Sequence, residues 1–350
     1  MTRSQTLVLV TISLCIPARA AEAQVDDRAA SRDSRHLMTP ETRSSIDEGL
    51  IWLAGRQQED GSFGTTTRYR NNPGVAGLCG LAFLASGSTP DRGPYGQHVS
   101  RAIDFVLSCA RPSGYIVEED WNYYHGPMYG HGFATLFLAE VYGMSPRDEV
   151  RETLRRAVTL IVNTQNEQGG WRYVPESEEA DISVTVCQVM ALRAARNAGI
   201  AVPKETIDAC IDYLQKSQNG DGGFRYRLLE AAESKFPRSA AALVALYTSG
   251  VYEGPIIERG LGYMMQFAPG TIGSRSQEYY FYGQYYAVQA AWHAGGDYWE
   301  IWYPAARDEL LDLQLGDGSW SDPWIGNEYA AAMSLIALQL PNNYLPIFER

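Results

Sequence analysis

The sequence predicts an all-α fold, an (α/α)6 toroid with about twelve helices in two concentric rings. Three observations carry this expectation. A seven-residue phrase recurs as QQEDGSF (Gln57 to Phe63), QNEQGGW (Gln165 to Trp171), QNGDGGF (Gln218 to Phe224) and QLGDGSW (Gln314 to Trp320). Degenerate copies start at Cys109 and Gln266, so six starts fall roughly fifty residues apart, the scale of a two-helix repeat. The segments before and after each phrase also differ in hydrophobic pattern, one kind half-exposed and the other enclosed.

The chain opens with Arg3 and an apolar run from Leu7 to Ile16, too short to cross a bilayer. Small residues follow at Ala18, Ala20, Ala21 and Ala23, so residues 1–23 read as a secretory signal cleaved after Ala20 or Ala23. Export to the periplasm or the extracellular space is expected, with no membrane-spanning segment after cleavage. Residues 24–42 are polar and aperiodic and read as a flexible linker, and residues 43–350 carry the toroid. The full chain has a net charge of −12, and losing Arg3, Arg19 and Glu22 makes it more acidic. Such a chain is a poor partner for nucleic acid or anionic lipid.

Within the toroid, the segments before a phrase are one-sided. Over Lys204–Gln218, Ile207, Cys210, Ile211 and Leu214 follow the spacing of one helical face, with Lys204, Glu205, Asp208, Asp212 and Lys216 opposite. Leu154, Val158 and Ile161 repeat the pattern over Arg151–Gln165. These are outer helices. Segments after a phrase, such as 131–143 and 181–197, are apolar on every face and must be enclosed by other helices. A last enclosed helix over 327–340 closes the ring. In the phrase itself, glycine permits a tight reversal, and the aromatic offers a flat surface on which the Gln amide can lie and still hydrogen-bond neighbouring helix ends. The run Asn219-Gly220-Asp221-Gly222 is too short a ligand series for a calcium loop.

Cys79, Cys109, Cys187 and Cys210 survive cleavage. Export permits a Cys187–Cys210 disulfide, but the apolar helical surroundings of each cysteine favour free thiols packed as small hydrophobes. There is no CxxC and no Cys/His cluster at zinc spacing, so no metal or other cofactor is expected.

The phrases, their period and the helix pattern resemble the prenyltransferase / squalene–hopene cyclase superfamily, specifically exported bacterial proteins with prenyltransferase and squalene oxidase (QW-type) repeats. The likeness spans nearly all of the mature chain. The resemblance implies a single toroid and, for activity, either terpene cyclisation or prenyl transfer. Cyclases of this kind protonate an alkene with the central Asp of a DxDD motif. The matching place reads Asp181-Ile182-Ser183-Val184, keeping the first Asp and placing a hydroxyl where the acid is needed. A serine cannot protonate a double bond. The prenyltransferase zinc site needs a His near the start of the last inner helix, where this chain has Asn327-Glu328-Tyr329-Ala330. A Gly-Cys-Gly-Glu-Gln thioester element, as in complement-like toroids, is absent.

Candidate functional residues therefore gather where the inner helices start together. Asp181 and His131 are the catalytic candidates, the latter because a histidine titrates near neutral pH and stands between Gly130 and Gly132. Asp181 also reads as a plain N-cap. Ser183, Arg238, Tyr285 and Glu328 share that end. The loop 113–130, longer than most connections, adds Trp121, Tyr124, His125 and Tyr129, and Tyr282 comes from a second aromatic cluster. Tyrosine makes a surface apolar and hydrogen-bonding at once, which suits an isoprenoid, a polar-headed lipid, a glycan or a protein partner. The expected function is ligand or partner binding at the ring cavity. The alternatives are a divergent cyclase or transferase, and a lyase or hydrolase acting on an extracellular polymer.

Overall fold

Each one-sided segment forms a helix whose apolar stripe packs inward, and each enclosed segment forms a helix behind it. The computed structural model describes residues 34–349 except 65–67, 123–125, 146, 177 and 272. In chain order its helices are α1 (Pro40–Gly55), α2 (Pro73–Ala85), α3 (Gly96–Ser108), α4 (Pro127–Tyr142), α5 (Asp148–Asn163), α6 (Ile182–Asn197), α7 (Lys204–Ser217), α8 (Phe236–Thr248), α9 (Pro255–Met265), α10 (Tyr280–Ala294), α11 (Gly296–Leu313) and α12 (Asn327–Gln339). Among the described residues there is no strand, only isolated bridges. Odd-numbered helices form the outer ring. Even-numbered ones form a closed inner ring, in which each packs on the next and α12 returns to α2. Every residue of α2 is buried, and α6 buries valine, methionine and leucine on all sides. The fold is the expected toroid.

The phrases hold the outer ring through their glutamines. The side-chain amide of Gln57 donates to Gly61 O in its own phrase (3.1 Å) and to His98 O in α3 (3.0 Å). Gln165 bridges Gly169 O and Thr206 O of α7, both at 2.8 Å. Gln218 bridges Gly222 O and Ile256 O of α9, and Gln314 bridges Gly318 O and Ser45 O of α1. The last clasp joins the end of the chain to its first helix. The amide therefore spans two carbonyls, one in its own phrase and one in a neighbouring helix. The phrase's ring is buried: Trp171 donates Nε1–H to Ile161 O and Trp320 to Leu310 O, each at 2.7 Å.

The phrase glycine is there for want of space. Gly169 has φ +92°, and a Cβ on it would lie 2.2 Å from Ala209 O. The degenerate copies lack this clasp. At Gln266 the amide reaches only Gly262 O, and Glu309 of α11 accepts from Gly270 N (2.7 Å) and Ser274 in its place.

Two details depart from the sequence reading. Helices α4, α8 and α10 start ahead of Gly130, Arg238 and Gln284, with Pro127 and Pro237 in first-turn positions where their fixed φ suits a helix. Residues 34–42, assigned to a linker, are folded. Ser34 to Leu37 form a 3-10 helix, and buried Ser34 accepts from Trp299 Nε1 at 2.9 Å. Residues 1–23, expected to be a signal segment, lie outside the described residues. Cys79, Cys109, Cys187 and Cys210 are free thiols, so Cys187 and Cys210 form no disulfide.

Losing a clasp removes two partly buried hydrogen bonds, so Gln218→Ala is expected to destabilise the fold by about 1–3 kcal/mol in urea unfolding. Gly169→Ala should cost at least about 1 kcal/mol, because alanine is strained at positive φ and its methyl meets a fixed carbonyl. A neutral result for both would leave the clasp without an energetic role.

Candidate functional site

The inner helices begin at one end of the ring, and the residues following the phrases are drawn to that end. Asp181 N–H donates to Trp171 O (3.0 Å), and Ile182 N–H donates to Tyr226 O (3.2 Å). Met128 N–H donates likewise to Tyr173 O (3.0 Å). These links place Asp181 between Tyr173 and Tyr226, whose hydroxyls are 2.8 Å apart. Asp181 has no exposed surface. Its Oδ1 caps α6 by accepting from Val184 N–H at 2.8 Å, and its Oδ2 has no hydrogen-bond partner among the described residues. Burial pushes the carboxyl up to about 7, against the Val184 amide, the Arg172 charge, the Ser183 amide and the Tyr226 hydroxyl. The acid is thus half-protonated near neutrality and can donate or accept.

Tyrosines surround it. Tyr129 lies 6.1 Å from Tyr173 between ring centroids, and burial, then the Asp181 charge, raises its hydroxyl well above the ordinary value. Tyr282 reaches from α10 to donate to Ser183 O at 3.2 Å. Arg172 stacks 5.0 Å over Tyr173 and Arg238 5.8 Å over Tyr226, a cation–π contact on each tyrosine. Arg172 is neutralised by Glu179 at 3.2 Å.

One turn deeper the axis is filled. Tyr285 of α10 meets Phe133 of α4, on the far side of the ring, at 6.3 Å between centroids. Tyr286 packs edge-on against Tyr285 and lies 3.5 Å from Cys187 Sγ of α6. Tyr285 and Tyr286 are both almost fully buried. The site is a shallow mouth floored by aromatic rings.

Two overlapping matches to the prenyltransferase alpha-alpha toroid domain cover residues 36–155 and 77–258. The chain belongs to that family. A solved type II terpene cyclase, a variant of MstE from Scytonema in complex with geranylgeranyl dihydroxybenzoate, is 15% identical, with a TM-score of 0.60 over 87% of this chain and 98% of that one. An inactive variant of an α-1,6-mannanase from Salegentibacter, in complex with α-1,6-mannotriose, is 9% identical, with a TM-score of 0.62 over 85% and 99%. A protein from Actinoplanes is 16% identical, with a TM-score of 0.54 over 87% and 99%. At such identities the likeness is one of fold. No curated relative matches the chain.

In this toroid the sequence-derived residues separate. Asp181, Ser183, Tyr129, Tyr282 and Arg238 meet at the mouth, and Tyr285 lies in its floor. His131 does not join them. Its Nδ1 accepts from Ile116 N–H (3.1 Å), its ring packs edge-on against Tyr115, and burial holds it down at about 4 against the pull of the Ala157 carbonyl. It faces the outer layer as a neutral packing residue. Glu328 is buried in an ion pair with Arg56 at 3.2 Å. Trp121 stands on the rim, 6.4 Å from Tyr115 between centroids, while Tyr124 and His125 lie outside the described residues. Sequence reasoning overlooked Tyr173 and Tyr226, although an Arg-Tyr pair follows both Trp171 and Phe224. No group of His, Cys, Asp and Glu suited to a metal occurs among the described residues.

The raised Asp181 pKa has a thermodynamic signature. Its folded pKa lies above the unfolded one, so its contribution to stability is full at low pH and is lost as pH rises to about 7. Asparagine keeps the cap and does not titrate. The stability of Asp181→Asn relative to wild type should therefore rise with pH between about 4 and about 7 and then level off. Urea titrations across this range measure it. Glu140, pushed up to about 8 by burial, titrates in both proteins and cancels. A difference independent of pH would contradict a buried, unpaired acid.

Proposed function

We propose that this is an exported toroid that binds a polyhydroxylated ligand, a sugar unit, at its tyrosine-lined mouth. The observation that carries the reading is the Asp181 carboxyl, buried with Oδ2 unpartnered beside Tyr173 and Tyr226. A sugar has apolar C–H faces that stack on tyrosine rings, and hydroxyls that pair with phenols and with an acid able to donate or accept. A polyene needs an apolar cavity deep enough to fold in, and Phe133, Tyr285 and Tyr286 occupy that depth here. The likeness of fold to an inactive mannanase variant in complex with mannotriose supports a sugar as the ligand class.

A second reading, hydrolysis or lysis of an extracellular polymer, is favoured by one observation. Asp181 titrates at about 7, where a general acid works best at neutral pH. Glycoside hydrolysis by the usual route needs a second carboxyl group flanking the bond, and Asp181 supplies one.

Calorimetry with neutral sugars tests the binding reading. Wild-type protein should bind, and Asp181→Asn and Tyr226→Phe should each weaken binding about tenfold, equivalent to about 1.4 kcal/mol, with the fold intact by circular dichroism. Retained affinity in both variants would remove the mouth from the binding site. Release of reducing ends by wild type but not by Asp181→Asn would establish the hydrolytic reading.

A further inference from the structure

Outside the mouth, three of the loops that lead into the inner helices each hold one large aromatic side chain out to solvent. Trp121 precedes α4 and is 40% exposed, Tyr279 precedes α10 and is 66% exposed, and Trp324 precedes α12 and is 71% exposed. Single exposed aromatics are ordinary on a protein surface. These three share one face, because all inner helices start at the same end. Helices α4 and α10 are opposite one another in the inner ring and α12 is next to α10, so the loops that carry Trp121 and Tyr279 enter the ring on opposite sides. Asp181 and its tyrosines lie between them.

Tyr279 carries an independent signal. Its backbone is left-handed, with φ +55° and ψ +45°, a conformation that disfavours a bulky side chain. Strain of this kind persists where the surroundings or the function require the residue. Packing does not require this one, since two thirds of its surface is in water. The Tyr279 hydroxyl nonetheless lies close enough to Tyr69 and Tyr173 to influence their ionisation, which places it over the mouth.

We propose that Trp121, Tyr279 and Trp324 form stacking platforms for a neutral polysaccharide chain that crosses the mouth, with one residue of that chain seated on the half-buried tyrosines, Tyr173 and Tyr226, that cover Asp181. The inference rests on the sugar-binding reading and specifies a polymer instead of a free monosaccharide. Flat aromatic faces spaced across an opening match successive sugar rings. They do not make the contiguous apolar patch that a protein interface buries. The net charge of −12, with Glu119, Asp120, Glu278 and Asp322 on these same loops, repels acidic polymers and anionic membrane surfaces.

The experiment uses the full mature chain against an array of neutral polysaccharides (mannans, glucans, galactans and xylans) and their monosaccharides, followed by calorimetry on the hits. Wild type should bind a polymer at least tenfold more tightly than its monomer. Trp121→Ala and Trp324→Ala should each erase much of that gain and leave monomer affinity unchanged, whereas Asp181→Asn weakens both. Tyr279→Gly is the sharpest variant, expected to raise the melting temperature by relieving the left-handed backbone while lowering polymer affinity. Equal affinity for monomer and polymer, or rim variants without effect, would overturn the platform and leave the sugar-binding reading intact. Failure of every neutral sugar would overturn both. Rim-dependent binding to phosphatidylglycerol vesicles or to a protein, in place of a polysaccharide, would overturn the platform.

Discussion

The ring depends on one small group, the glutamine carboxamide, whose two N–H donors point to two different carbonyls. One belongs to the phrase's own glycine and the other to the next outer helix. In all four intact copies the second carbonyl stands three residues before the one that the glycine faces. The pairs are His98 with Arg101, Thr206 with Ala209, Ile256 with Arg259, and Ser45 with Glu48. A fixed offset of this kind sets the clasped outer helices α3, α7, α9 and α1 at the same height and rotation on their predecessors. A side chain on the glycine would meet that backbone at 2.2 to 2.7 Å, so the close approach admits glycine alone. Because Gln314 clasps α1, the repeat angles must add to a closed circle.

The same clasp builds the mouth. Past the glycine, Trp171 N–H is taken by Thr185 Oγ1 at 3.1 Å and Phe224 N–H by Ser239 Oγ at 2.9 Å, tying each phrase to its own inner helix. Two residues further, Tyr173 and Tyr226 receive backbone N–H groups from the preceding inner helices, which brings their side chains over the opening. Asp181 is then fixed by three contacts: its N–H on Trp171 O, its C=O on Thr185 N–H, and Oδ1 on Val184 N–H. With its backbone and one oxygen committed, Oδ2 is the atom left for chemistry. Scaffold and site are therefore one hydrogen-bonded construction.

This explains what was legible in the sequence. Period and burial pattern are properties of the chain alone, so twelve helices in two rings followed from them. Asp181 stood out because a capping residue at an inner-helix start has a fixed place. His131 was misjudged because glycine neighbours suggested an open approach. Those glycines instead let α4 pack closely on its neighbours: a Cβ on Gly132 would lie 2.7 Å from Cys187 Cβ. The direction of a side chain on a fully enclosed helix is set by partners far off in sequence, and Ile116 could not be foreseen. That the glutamine amides bind neighbouring helix ends was legible in the phrase, but the particular acceptors were not, since they lie about forty residues away, or in the first helix for Gln314.

The filled axis decides more than packing. A cavity of polyene size costs stability in proportion to its volume, at about 24 cal/mol per Å³. Here Phe133, Tyr285 and Tyr286 remove that cost by joining opposite sides of the inner ring. Binding is thereby restricted to a surface that stays near water. An apolar ligand gains there in proportion to the small area it can hide, at about 25 cal/mol per Å². A polyhydroxylated ligand loses little on the same surface, because its outward hydroxyls keep their water while its inward ones meet phenols and an acid. On the proposed reading, the side chains that exclude a folded polyene are thus the ones that leave a tyrosine-lined mouth favourable to sugar.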